Sequence, residues 1–259
     1  MRFSGHAASG REAAQPPPGR AEVQAPGSAP GGIATPGRDH ATLAAPQPES
    51  LVTGGVRSLE VRWIFPGHLE DAVAGWFSQF PAAVESREDT YLLEPQLHGL
   101  SVKIRGGMAL EVKAYLGSPG RLDVAGRALG SMESWQKWSH SCGPLSQGSG
   151  DPACWKPVGK TRRITQFCVT GERTVARAPE KGDEPRCDVE LTEIRAAGQD
   201  WWSLGLEASG PAGLARSTLE ATATVVLAQD LPGGLRPGPD ECRSYAEWLG
   251  QRPDPGTDA

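Results

Sequence analysis

No C-x-x-C pair occurs in the chain, although it holds five cysteines, Cys142, Cys154, Cys168, Cys187 and Cys242. That spacing fits neither a zinc site nor a disulfide framework, so free thiols are expected. Also missing is any run approaching the roughly 18 apolar residues of a membrane-spanning helix. The basic start is not followed by the apolar stretch of about seven or more residues that a secretory signal needs. A soluble, cytoplasmic protein with no membrane partner is therefore expected. Positive charge is not in excess: 26 Lys and Arg stand against 31 Asp and Glu, a net charge of -5. This argues against a general nucleic-acid binder, but it does not say how charges are grouped in space.

Residues 1–55 lack aromatics beyond Phe3 and are dominated by Ala, Gly and Pro. Nothing in them has the periodicity to bury enough apolar surface to offset chain entropy, so they are expected to form a disordered tail. Residues 251–259 are expected to form a second, shorter tail. Between the two, residues 56–250 have the composition of one folded domain.

What is present there is mostly alternation. "VRSLEVRWIF" sets Leu59, Val61 and Trp63 on one side and Ser58, Glu60, Arg62 and Ile64 on the other, a strand pattern. "PGHLEDAVAGWFSQFP" has helical spacing of Leu69, Val73, Trp76, Phe77 and Phe80 between Pro66 and Pro81. Strands are expected in "ESREDTYLLEP", in "GLSVKIRGGMALEVKAY" as a hairpin, and in "WKPVGKTRRITQFCVTG", "CDVELTEIR" and "DWWSLGLEAS". "SMESWQKWSH" fits either a strand or a short helix, and "SCGPLSQGSGDP" fits a loop. Helices are expected in "GPAGLARSTLEATATVVLAQDLP" and in "GPDECRSYAEWLGQ", the latter opened by Pro239 and closed by Gly250. The count predicts an α+β fold: an antiparallel sheet of about eight strands, closed or nearly closed into a barrel, with helices packed outside.

Register decides where the charges point. In the first hairpin a two-residue Gly106-Gly107 loop would oppose the charged faces. A three-residue loop ending at Met108 pairs Arg105 with Ala109, Lys103 with Glu111 and Ser101 with Lys113, leaving one face consistently apolar. With a four-residue loop over 196–199, Asp188 lies opposite Glu207, Glu190 opposite Gly205 and Thr192 opposite Ser203. Like charges so close need a cation between them, while Ser203 and Gly205 leave room beside Glu207. Two readings are open on pattern alone: ordinary one-sided hairpins with solvated charges, or a barrel lined with charge. In the second reading Lys103, Arg105, Lys113, Lys160 and Arg162 hold phosphate oxygens, while Glu60, Glu190 and Glu207 on an opposite wall hold a divalent ion. Trp135 and Trp138 are expected to cap the barrel, and His98 and His140 are the histidines nearest a tunnel mouth.

The motifs, in order, resemble those of the CYTH family, the triphosphate tunnel metalloenzymes. "SLEVRW" stands where the family has E-x-E-x-K, offering Glu60 and Arg62, and "REDTYLLEP" is similar to its Asp-Thr-Tyr segment. "LSVKIRGG" gives Lys103 and Arg105, "LEVKAY" gives Lys113, "VGKTRR" gives Lys160 and Arg162, and "GLEASG" gives Glu207. "CRSYAEWL" is similar to the Ser-Tyr segment near the family's C-terminus. The resemblance spans about Val56 to Gly250 and implies hydrolysis of a triphosphate or short polyphosphate, with Mg2+ or Mn2+ on the acidic residues. Three departures bear on this: Ser58 replaces the first glutamate, Arg62 replaces the lysine, and Ala208-Ser209 follow Glu207 where a second glutamate belongs. An inactive tunnel domain that binds a polyanion is the alternative implied by the same resemblance.

Overall fold

The computed structural model describes residues 55–251 apart from 95, 98, 142, 145–153, 171–172, 179, 181–183, 212 and 229–230. The expected tails, most of the expected 141–152 loop and His98 lie outside the described residues.

Among the described residues nine strands are formed: β1 (Val56–Pro66), β2 (Ala83–Leu92), β3 (Leu100–Arg105), β4 (Ala109–Asp123), β5 (Leu129–Ser141), β6 (Trp155–Thr170), β7 (Arg173–Arg177), β8 (Arg186–Ala196) and β9 (Gln199–Ser209). All pairings are antiparallel, in the order β2-β3-β4-β5-β1-β9-β8-β6-β7. β2 also pairs with β6, from Ala83↔Ile164 to Leu92↔Trp155, and so closes eight strands into a barrel. β7 continues along the same edge of β6 beyond the point where β2 leaves it. The sequence reading missed β7, whose five residues are too short to show a clear alternation. "SMESWQKWSH" is strand, because the long β4 pairs with it over most of its length.

Both hairpin registers form as the burial argument requires. Lys103 pairs with Glu111 and Arg105 with Ala109 around Gly106 and Gly107, which take φ of 56° and 69°. Asp188 pairs with Glu207, Glu190 with Gly205 and Thr192 with Ser203. The pairing there runs as far as Ala196↔Gln199, leaving Ala197 and Gly198 at φ 47° and 74°, as a tight two-residue hairpin turn demands.

The helices are α1 (Asp71–Phe77), α2 (Ala215–Val226) and α3 (Tyr245–Gly250). α1 is shorter than the apolar spacing suggested, ending where Ser78 Oγ caps the carbonyl of Gly75. α2 lays Leu219, Ala223 and Val226 on the outer faces of β1, β8 and β9, against Val61, Leu204 and Leu206 in the main core. α3 is opened by Ser244, not by Pro239: its hydroxyl accepts the Glu247 N–H at 3.2 Å. α3 closes one end of the barrel, where Trp248 and Leu249 pack with Ile64, Tyr91, Val158 and Ile194. Helices pack outside the barrel as expected: α2 covers β1, β6, β8 and β9, and Phe80 beyond α1 packs on Phe167 of β6. The outer face of the β3–β4 hairpin is uncovered, with Leu100 40% and Leu110 39% exposed. Among the described residues no helix is long and apolar enough to cross a membrane.

Candidate functional site

Strand parity turns the alternating charges inward. Glu60 and Arg62 of β1, Lys103 and Arg105 of β3, Lys113 of β4, Lys160 and Arg162 of β6, Glu190 of β8 and Glu207 of β9 all line one cavity. Every residue nominated from the sequence therefore reaches the same interior. Further charges that the sequence reading passed over join them: Arg87 on β2, Glu111 on β4, Glu133 and Lys137 on β5. The signal for these was present, since Arg87, Asp89 and Tyr91 alternate on β2 as Glu133, Trp135 and Lys137 do on β5.

Neither side of the cavity carries charge of one sign alone. Cross-strand partners of opposite sign, such as Lys103 and Glu111, interleave the two. Lys103 Nζ lies 3.1 Å from Asp89 and 3.0 Å from Glu111. Arg62 lies 3.0 Å from Glu190, which also pairs with Arg162. Lys113 lies 2.6 Å from Glu60 and 3.5 Å from Glu207, and Lys137 lies 3.2 Å from Glu207. Arg62 reaches Glu190 by lying flat across Gly205: a Cβ there would sit 2.7 Å from the guanidinium carbon. The room that Ser203 and Gly205 leave is thus taken by an arginine, which also donates to Ser203 Oγ at 3.3 Å.

Asp89 is fully buried and holds Arg87 at 2.8 Å and Lys160 at 3.6 Å besides Lys103. Burial alone would raise its pKa, but Lys103, Lys160 and Arg87 outweigh it and hold the carboxyl well below its usual range. Glu111 behaves alike, with burial outweighed by Lys103, and is pulled down to about 2. Glu207 is likewise held low against burial by Lys113 and Lys137.

The cations of β6 respond in the opposite sense. Burial pushes the Lys160 amine down to about 8; its Nζ donates to Tyr91 Oη at 2.7 Å and sits 3.5 Å from the centre of the Tyr245 ring. Arg162 is lowered to about 10 by burial and by Arg87, even though Glu190 and Glu85 pair with it. Both shifts are led by burial, which removes the water that would otherwise stabilise the charge; an anion placed between Lys160 and Arg162 would supply that stabilisation.

A divalent ion has a poorer seat. Among the described residues no three Asp, Glu, His or Cys side chains gather around a common point. Glu60 and Glu207 face each other across β1 and β9, but the Lys113 ammonium lies against both. Glu190 is engaged by two arginines, and Ser58, where the family has a glutamate, donates to Glu60 at 2.6 Å. As arranged, this donor set does not fit Mg2+ or Mn2+.

A scan against protein-family models finds no match, and a search of curated proteins finds none either. Among solved structures, a conserved hypothetical protein of Pyrococcus furiosus aligns at TM-score 0.40 and 16% identity, covering 73% of this chain and 98% of that one. A chain of the Mediator head module of Schizosaccharomyces pombe aligns at TM-score 0.40 and 10% identity over 66% and 93% of the two chains. The RNA triphosphatase Pct1 of the same yeast aligns at TM-score 0.31 and 10% identity over 70% and 82%. These likenesses are distant. The motif order read from the sequence implies a closed barrel with a charged interior, and the strand pairings and cavity lining have that form.

The remaining aromatics divide by parity. Trp135 points into the cavity, and Trp138, three residues on, points to the outer face of β5. They do not form a joint cap. His140 is exposed on β5.

Proposed function

We propose that the barrel binds the phosphate chain of a triphosphate or short polyphosphate, as a binding domain and not as a metal-dependent hydrolase. The observation that carries this reading is the lining of one cavity, in which Arg62, Arg87, Lys103, Arg105, Lys113, Lys137, Lys160 and Arg162 outnumber Glu60, Glu111, Glu133, Glu190 and Glu207. Phosphate oxygens between the cations supply the missing counter-charge through charge-assisted hydrogen bonds, each worth about 1.5–3 kcal/mol. Lys103, Arg105, Lys113 and Arg62 exchange carboxylate partners for phosphate as the chain enters.

One feature favours hydrolysis as a second reading. An amine with a pKa of about 8, held by Tyr91 and 3.6 Å from Asp89, is placed to take a proton from an attacking water near neutral pH. In that reading Glu60, Glu190 and Glu207 would have to give up Lys113, Arg62 and Arg162 before they could hold a metal ion.

Titration calorimetry of the full chain with tripolyphosphate, with and without EDTA, separates the two, alongside phosphate release measured with Mg2+ or Mn2+. Micromolar binding that EDTA leaves unchanged, with no phosphate released, is the expected result. Metal-dependent release moves the assignment to the hydrolase, and absence of binding removes both.

A further inference from the structure

Among the described residues four lysines line the cavity, and one of them is held differently from the rest. Lys103, Lys113 and Lys137 each have a carboxylate oxygen within 3.2 Å. The ion pair of Lys160 is longer, 3.6 Å to Asp89, and Arg87 and Lys103 hold that carboxylate more closely, at 2.8 and 3.1 Å. Nearer to its Nζ are the Tyr91 hydroxyl at 2.7 Å and the Tyr245 ring, whose centre lies 3.5 Å away. The Lys160 side chain is only 3% exposed, yet it faces the cavity from the end that Tyr91 and Trp248 close.

A lysine in this setting becomes a nucleophile. Removal from water and the nearness of another cation both favour the neutral amine, whose lone pair is then free to attack a carbonyl carbon. Lys160 meets both conditions, since it is buried and shares Asp89 with Lys103. Burial and the charge of Lys103 outweigh Tyr91 and Asp89 and bring the amine down to about 8, whereas Lys113 in the same lining is driven upward by Glu207 and Glu60. Tyr91 keeps its own proton, because burial raises its pKa. An acid thus lies against a reactive amine. Around them the lining is cationic: Arg87 is the cross-strand partner of Lys160 on β2, and Arg162 follows two residues along the same face of β6. Two guanidinium groups beside one amine suit a ligand that joins a carbonyl to a doubly charged anion.

Resting on the phosphate-binding reading for its anionic end, we propose that Lys160 forms an imine with a small aliphatic aldehyde carrying a phosphate group, which Arg87 and Arg162 hold. The Nζ lone pair attacks the carbonyl carbon, and the C–N bond forms as the C=O π bond breaks. Tyr91 donates its proton to the carbonyl oxygen and recovers one from the nitrogen. The second nitrogen proton then leaves with the hydroxyl group as water, and nothing is oxidised or reduced. The product is a covalent tether that water reverses. The other three lysines, each neutralised by a closer carboxylate, stay charged and take no part.

Trapping on the full chain tests the assignment, with glyceraldehyde 3-phosphate and glyceraldehyde as probes, cyanoborohydride to reduce any imine, and peptide mapping by mass spectrometry to find it. With the phosphorylated probe, Lys160 is expected to be modified at least about tenfold faster than any other lysine, and tripolyphosphate to slow that modification about tenfold. Lys160→Arg, which keeps the charge and removes the nucleophile, should lose the fast phase. Mapping of the parent chain decides the matter even if that variant fails to fold. Modification spread evenly over the lysines, or as fast at Lys103, Lys113 or Lys137, overturns the assignment while tripolyphosphate binding by calorimetry still stands. Fast modification of Lys160 at equal rates by both aldehydes, with no protection by tripolyphosphate, overturns the phosphate end and the phosphate-binding reading together, and leaves the imine chemistry established.

Discussion

At β2, β3 and β6, the cations Arg87, Lys103 and Lys160 surround a single buried carboxylate, Asp89, and Arg162 stands next to them. Across the cavity the proportion is reversed. Glu133, Glu60, Glu207 and Asp188 are successive cross-strand partners on β5, β1, β9 and β8, an acidic row served by Lys113 and Lys137. Both regions are built from the same residue types at the same alternation, yet one is left with surplus positive charge and the other with an uncompensated glutamate. Residue type alone does not decide what an interior charge does. The count of opposite charges within about 4 Å decides whether it is a structural ion pair or a group awaiting a ligand.

The comparison breaks most visibly if Asp89 is removed. Asp89→Ala leaves three buried or nearly buried cations without their shared partner, and losing one member of a buried ionic cluster costs about 3–5 kcal/mol. For a domain of this size that lowers the thermal midpoint on the order of 10 °C. Glu133→Gln, on the acidic side, should leave the midpoint nearly unchanged because no ion pair depends on it. Differential scanning calorimetry of the two variants side by side checks this, and similar losses from both would mean that the two regions do not differ in kind.

The hairpin registers were legible in the sequence because burial fixes parity: only one loop length gives each hairpin a consistently apolar face, and Lys103↔Glu111 and Glu190↔Gly205 follow from it. What could not be read was which strands meet across the closed barrel. β2 reaches β6 over a separation of more than 60 residues, and that pairing brings Arg87 and Asp89 to Lys160. Without it, Asp89 is one acid in a charged strand and the interior looks divisible into a basic and an acidic wall. β5 was uncertain for a related reason. "MESWQKW" carries a tryptophan on each face, Trp135 beside Glu133 and Lys137 and Trp138 beside Met132, Ser134 and Gln136, so its own pattern does not say which side is buried, and Glu133 and Lys137 went unassigned.

A smaller effect sharpens the difference through pH. The Lys160 amine titrates near 8 in the folded protein, below the ordinary lysine value of 10.5. Tripolyphosphate binding supported by its charge is fully present well below pH 8 and weakens as pH rises past it, by about tenfold for one charge-assisted contact. Lys160→Met should bind less tightly at pH 7 and lose this dependence, which subtracts any titration of the ligand itself. The stability sign is opposite. Between pH 8 and 10.5 the unfolded chain holds the proton more readily than the folded one, so the parent gains stability with rising pH relative to Lys160→Met. On the acid side, Glu111 at about 2 contributes stability that is full above about pH 4.5 and lost as pH falls toward 2. Chemical denaturation at a series of pH values reads both limbs.

The most local change concerns Gly205, the point at which the two regions touch. Its missing Cβ lets the Arg62 guanidinium lie across β9 and join Glu190 to the Tyr245 ring, 4.8 Å away. Gly205→Ala places a carbon where that guanidinium now rests. β9 is central in the sheet and its backbone is held by β1 and β8, so the arginine must yield and the strand stays. The expected outcome is a fold kept within about 1–2 kcal/mol of the parent, with Glu190 retaining Arg162 alone and tripolyphosphate bound a few-fold more weakly. If Gly205→Ala binds as the parent does, Arg62 contributes only to the architecture, and the phosphate site contracts to the cations of β3, β4 and β6.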